Sequence, residues 1–120
     1  MNLGQPIRTW GGRCYFPEEP KVVNGRMMDF KYKLINYAIQ ASAADITKQA
    51  MIDWYNHPRR DPRCRFIVQV YDELVLSCPV EIWEEQMEVL KEVMEMPRLD
   101  VPMLSDGERG VVWGEMEDVA

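Results

Sequence analysis

Gln69-Val70-Tyr71-Asp72-Glu73-Leu74-Val75 is the stretch on which the fold turns. It places two adjacent carboxylates between apolar, β-prone runs, Arg65-Phe66-Ile67-Val68-Gln69-Val70 before and Leu74-Val75-Leu76-Ser77-Cys78 after. Branched and aromatic side chains of this kind fit a pleated, half-buried surface. So few residues separate the runs that the spacing predicts a hairpin with its acids at or beside the turn. Neighbouring side chains on a regular strand point to opposite faces, and a turn breaks that alternation. Both carboxylates can then approach one cation-sized space. Magnesium is commonly held by one or two carboxylates together with water and substrate phosphates. An acidic pair at a hairpin tip more often serves solubility and turn geometry, and the metal reading needs support from the remaining chain.

Working outward, Pro79 starts a second helix, roughly Val80 to Met96, because proline is tolerated in a first turn. Trp83, Met87, Leu90 and Met94 repeat at helical spacing as its core face. Glu81, Glu84, Glu85, Glu88, Glu92 and Glu95 fill the remainder as a solvated, acidic face. Upstream, Pro58 and Pro62 frame a basic loop, Arg59-Arg60-Asp61-Pro62-Arg63, and His57 beside it reads as exposed. Before that, no Pro or Gly occurs from about Met28 to Tyr55. Ile35, Ile39, Ala43, Ile46, Ala50 and Trp54 recur every three or four residues, which predicts one buried stripe on a helix about 40 Å long. Asn36 and Gln40 lie together on a neighbouring face, next to the small side chains of Ala41-Ser42-Ala43-Ala44. Small residues allow close approach of a partner helix or a nucleic-acid backbone.

At the N-terminal end, Ile7 to Phe16 reads as two short strands joined through Gly11-Gly12, with Arg8 and Arg13 flanking the turn. These arginines are either solvated strand ends or phosphate contacts. Asn24-Gly25 marks a further turn. At the other end, Leu99 to Leu104 and Gly110 to Trp113 read as short strands around Ser105-Asp106-Gly107.

The bulk numbers set bounds. A chain of 120 residues, 47% hydrophobic and 28% charged, is one small globular domain or a piece of a larger one. No apolar run is long enough to cross a bilayer, and Met1 to Thr9 lacks a signal pattern. Three cysteines without metal-ligand spacing favour free thiols and a reducing, cytoplasmic setting. The net charge of −6 conceals a division. Residues 1–63 hold ten Lys/Arg against six Asp/Glu, a balance of +4, whereas residues 64–120 hold four against fourteen, a balance of −10. The first part can face phosphates, and the acidic second part belongs in solvent or against a basic partner.

The fold class expected from these pieces is α+β: a small antiparallel sheet with the hairpin, one long helix and one acidic amphipathic helix. Their order and their residues resemble the C-terminal palm of family A DNA polymerases, the group of bacterial DNA polymerase I and many phage enzymes. Lys33-Leu34-Ile35-Asn36-Tyr37-Ala38-Ile39-Gln40, followed by Ser42-Ala43-Ala44-Asp45, is similar to the family's helix before its last catalytic motif. Gln69 to Val75 resembles that motif, and Thr9 to Arg13 a segment just after the fingers, in the phage-like form with Trp10. The likeness covers about residues 4–117, so the chain 1–120 is expected to be a partial palm domain.

That resemblance implies nucleotidyl transfer to a primer 3′-hydroxyl with two Mg2+ ions, one activating the hydroxyl and one neutralising the triphosphate. Asp72 would be one of two bridging aspartates and Glu73 a supporting carboxylate. Asn36, Gln40 and Gln69 would face the minor groove, where correct pairs present acceptors irrespective of sequence. Tyr71 stands where the family usually has His against the primer terminus, and Arg13 would contact DNA. Ala41 replaces a family glycine. The first metal-binding aspartate motif, the thumb and the triphosphate-binding fingers helix lie outside the chain, so it is expected to be inactive alone. Primer-template DNA and dNTP are partners implied for the assembled enzyme, in a bacterial cell or phage-infected host. Three accounts stay open: a split polymerase completed by a separate polypeptide, an inactive remnant, or a non-catalytic module that binds DNA or a polymerase.

Overall fold

The computed structural model describes residues 6–30 and 32–119. The chain forms two compact units, 1–48 and 49–120, each described here by itself. The architecture is α+β, with antiparallel pairs and two α-helices among the described residues. Among the described residues the strands form four separate two-stranded ribbons, where the sequence suggested one small sheet.

In the first unit, β1 (Ile7–Arg8) pairs with β2 (Cys14–Tyr15) around the Thr9–Arg13 loop. Next, β3 (Lys21–Val23) and β4 (Arg26–Met28) form a tight hairpin with Val23 opposite Arg26. Asn24 and Gly25 occupy its turn at φ 50° and 75°. Two successive positive φ values match the right-handed twist of flanking strands, which is why Asn-Gly suits this connection. Helix α1 (Tyr32–Tyr55) then begins, a few residues later than its Pro- and Gly-free run suggested.

The stripe expected along α1 holds only in part. Ile46, Ala50 and Trp54 are buried, but Ile35 and Ile39 stay about two-thirds exposed (66% and 63%) and Ala43 is exposed as well. Toward its start the helix buries Leu34, Ala41 and Asp45 instead. Around Ser42 and Asp45 its partner is the polar loop between β1 and β2, which donates hydrogen bonds to both side chains. Burial of Asp45 follows that partner and not the apolar period.

The second unit has the larger core. Ala50 and Trp54 meet Cys64, Leu74, Val89, Leu90 and Val93, with Phe66 and Leu76 packed alongside. Trp54 is fully buried, its ring 4.6 Å from that of Phe66. Truncating such a residue costs about 3–5 kcal/mol. Helix α1 stops where Asn56 and His57 bond back to Ile52 and Trp54, just before Pro58. The chain then enters β5 (Arg65–Val70), which pairs with β6 (Glu73–Ser77). A bulge at Ile67 leaves that side chain largely exposed.

A 3₁₀ turn (Val80–Ile82) leads into α2 (Trp83–Met94), whose first-turn Glu84 and Glu85 favour the positive end of the helix dipole. Its core face is the expected one only in part. Leu90 is buried and Met94 packs against the core as expected, but Gln86, Val89 and Val93 complete the buried face, while Trp83 and Met87 serve a different neighbour. Gly107 leaves room for Met87, since a Cβ there would lie 3.0 Å from its sulfur, and Arg109 covers the Trp83 ring at 4.3 Å. Gly107 and Arg109 belong to β7 (Gly107–Arg109), paired with β8 (Glu117–Val119). The strands expected at 99–104 and 110–113 do not form. The apolar Val111, Val112 and Trp113 lie in the connection between β7 and β8, all exposed.

Candidate functional site

The hairpin tip is built as tightly as a hairpin can be. Val70 pairs with Glu73, so Tyr71 and Asp72 alone connect the strands. Such short connections need positive φ at the first loop position, and Tyr71 supplies it at 52°. A bulky L-residue there is strained by about 1–2 kcal/mol. The Gln69 side-chain amide donates to the Tyr71 carbonyl (3.2 Å) and braces the turn. The Tyr71 ring is 90% exposed and contributes nothing to the core. Leu74, opposite Gln69, is buried and anchors the tip from below.

Asp72 and Glu73 are exposed, and among the described residues neither carboxylate has an ion pair or side-chain hydrogen bond. Most other acids of this unit are engaged. Asp53 pairs with Arg98, Asp61 with Arg63, and Glu95 accepts from both the backbone and the hydroxyl of Ser105. Each of those three carboxyls is held below its ordinary range, chiefly by Arg98, Arg63 and Ser105 respectively. Hard oxygen donors at a solvent-facing tip fit a magnesium ion that keeps water and phosphate ligands. No cluster of three or more His, Cys, Asp or Glu able to hold a metal ion exists among the described residues.

The other expected site residues lie in the first unit. Asn36 and Gln40 are one turn apart on α1, and both are exposed. Arg13 is engaged: its guanidinium pairs with Asp45, although its side chain remains 45% exposed. Asp45 is the organising group of this region. It accepts from the Thr9 hydroxyl, the Gly11 backbone N–H (3.1 Å) and Arg13. Thr9 Oγ1 in turn accepts from the Arg13 N–H (3.1 Å), and the Trp10 N–H reaches Ser42 Oγ (3.0 Å). A Cβ on Gly11 would come within 2.8 Å of the Asp45 carboxylate, so only glycine allows that approach. The hydrogen bond from Thr9, with those from Gly11 and Arg13, holds the Asp45 carboxyl below its usual range. Sequence reasoning assigned Asp45 no role of its own, and only its place directly after a small-residue run hinted at close packing.

The arginines of the basic loop find partners within their own unit. Arg59 reaches Glu88 (3.1 Å) and Glu85 (3.7 Å), Arg63 reaches Glu81 (3.1 Å), and Arg60 stacks on Tyr55 and Trp54. His57 is more enclosed than expected, its side chain 13% exposed beside Glu92. Its Nδ1 accepts from the Arg59 N–H (3.1 Å). Buried Gln86 clasps the loop, donating to the Arg59 carbonyl and accepting from the Asp61 N–H, both at 3.0 Å. The acidic side of α2 is thus partly a docking face for the chain's own cations, and not purely solvated.

Among the described residues no helix is long and apolar enough to cross a membrane. No solved structure matches the chain. Curated relatives do. It is 32% identical over 117 residues to a DNA polymerase I of Chloroflexus aurantiacus, covering 95% of this chain and 12% of that protein. It is 37% identical over 112 residues to one from Caldicellulosiruptor bescii, covering 91% and 13%, and 37% identical over 84 residues to one from Borreliella burgdorferi, covering 68% and 9%. The chain thus spans roughly a tenth of the length of these relatives. The sequence profile of DNA polymerase family A matches residues 5–115, and the chain belongs to that family.

Proposed function

We propose that the chain is the C-terminal palm segment of a DNA-directed DNA polymerase, with Asp72 as one of its two metal-binding aspartates. The observation that carries this reading is the two-residue connection that sets Asp72 and Glu73, unpaired, at an exposed tip. Two Mg2+ ions bound there and to residues outside this chain would activate the primer 3′-hydroxyl and neutralise the triphosphate. Glu73 orients the ligands of that site. Asn36, Gln40 and Gln69 present amide donors to minor-groove acceptors, a test of pair geometry that ignores sequence. Tyr71 meets the primer terminus with an aromatic body and a hydroxyl. Arg13, steadied by Asp45, turns its exposed part toward DNA.

Primer-template DNA and dNTP are the substrates of the assembled enzyme. Thumb, fingers and the other metal-binding aspartate lie outside these 120 residues, which alone do not polymerise. Exposed Val22, Met27, Ile35 and Ile39 support a covering partner, since isolated domains seldom leave such surface bare. A cytoplasmic setting, bacterial or phage-infected, goes with this reading.

The test is magnesium-dependent primer extension by the chain alone, and by the chain mixed with a family A polymerase polypeptide lacking the matching segment. The mixture is expected to extend primers, with Asp72→Asn lowering the rate by about 10²–10³ or more. Extension by the chain alone, or a mixture indifferent to Asp72→Asn, would overturn the assignment.

A further inference from the structure

The base of the carboxylate hairpin carries a second, unrelated piece of chemistry. Cys64 precedes β5 and Cys78 follows β6. Arg65 pairs with Ser77, so the next rung outward sets Cys64 opposite Cys78. Both belong to the core side of the hairpin: Cys64 is fully buried, and Cys78 packs against the same cluster. Their sulfurs lie 2.8 Å apart, yet both thiols are free. Opposed residues on antiparallel strands have Cα atoms about 4.5–5.5 Å apart, inside the range of about 4.4–6.8 Å that disulfides span.

The geometry points to Cys64 and Cys78 as a reversible thiol–disulfide site, closed by a small-molecule disulfide of the glutathione type, that clamps the base of the hairpin bearing Asp72. Cys78 is the partly exposed member and reacts first. Its thiolate attacks one sulfur of the oxidant. The oxidant's S–S bond breaks, and one small thiolate leaves and takes up the proton that Cys78 gave up. Cys64 then displaces the second small thiol from Cys78 and gives its own proton to it. Two protein thiols and one small disulfide become one protein disulfide and two small thiols, so atoms and electrons balance. Burial first, then the adjoining Cys78 thiol and the Asp61 carboxylate, push the Cys64 thiol up to about 12, with Arg63 pulling the other way. Cys64 is therefore silent toward bulk oxidants and available only to the neighbour it touches. The closed bond constrains the segment 64–78, which contains the whole hairpin.

The test uses the full chain with exposed Cys14 replaced (Cys14→Ser), leaving two thiols. After incubation with oxidised glutathione, alkylation in denaturant and peptide mapping should find a Cys64–Cys78 link in a monomer, lost on adding dithiothreitol. Oxidation should raise Tm by at least about 5 °C and slow amide exchange across the hairpin by about tenfold or more. Cys78→Ser in the same background should acquire no glutathione at Cys64. The proposal is overturned if oxidation stops at a stable glutathione adduct on Cys78. Dimers linked between chains, or two thiols still fully alkylatable after prolonged exposure, would overturn it equally.

Discussion

Asp45→Ala removes the acceptor on which the Thr9–Arg13 loop is hung. Two of its donors are the buried Thr9 hydroxyl and the part-buried Gly11 N–H, and hydrogen bonds to a charged group contribute about 1.5–3 kcal/mol each. The third, Arg13, keeps 45% of its side chain exposed, and such pairs contribute only about 0.2–1 kcal/mol. The three share one acceptor and are not additive, so the expected local loss is about 3 kcal/mol. At about 1.4 kcal/mol per decade, exchange of the Gly11, Gly12 and Arg13 amides should accelerate by about a hundredfold. Amides of β5 and β6 should not change. Acid should reproduce the effect in the unaltered protein. The folded carboxyl lies below its unfolded value of about 3.9, so its contribution is complete above that pH and disappears as pH falls through the folded pKa. Asp45→Asn should lose this acid dependence. Loop protection reduced less than about fivefold by Asp45→Ala, or equal losses in both units, would refute the assignment of Asp45 as the latch.

Asp72→Asn should shift the urea midpoint by less than the equivalent of about 0.5 kcal/mol, because the carboxylate is exposed and unpaired; a larger loss would make it a structural residue. Tyr71→Gly should stabilise the second unit by about 0.5–1 kcal/mol, since relief at φ 52° exceeds the added chain entropy. A destabilised variant in thermal melts would contradict the strained-turn reading. Gln86→Leu should cost about 2 kcal/mol by stranding the Arg59 carbonyl and the Asp61 N–H, measured by urea unfolding followed through Trp54.

The elements legible in sequence are those whose signal is local. Branched runs around Asp72 and the Pro- and Gly-free stretch before Tyr55 specify a hairpin and a helix without outside help. Asn24-Gly25 specified a turn, but the flanking Val22 and Met27 are too exposed to announce strands. Several misreadings involve partners distant in sequence. Ile35 and Ile39 keep a helical period but stay largely exposed, whereas Asp45 is buried because a Thr, a Gly and an Arg from another element converge on it. Gln86, to which the sequence pattern gave no place on either face of its helix, is buried because both ends of its amide find backbone partners. Trp83 and Met87 belong to a face that only the β7–β8 pair defines. At the candidate site, the acids and their turn were readable, but the brace from Gln69 and the latch on Arg13 were not.

A connection of two residues has no slack. With Val70 locked to Glu73 and Gln69 to Leu74, one residue inserted at Tyr71-Asp72 would slide the downstream strand by a rung and rotate Leu74 out of the core. Swapping side chains at the tip is cheap, and changing its length is ruinous. Chemistry at this address can therefore drift from one acid or aromatic to another while the address itself stays fixed.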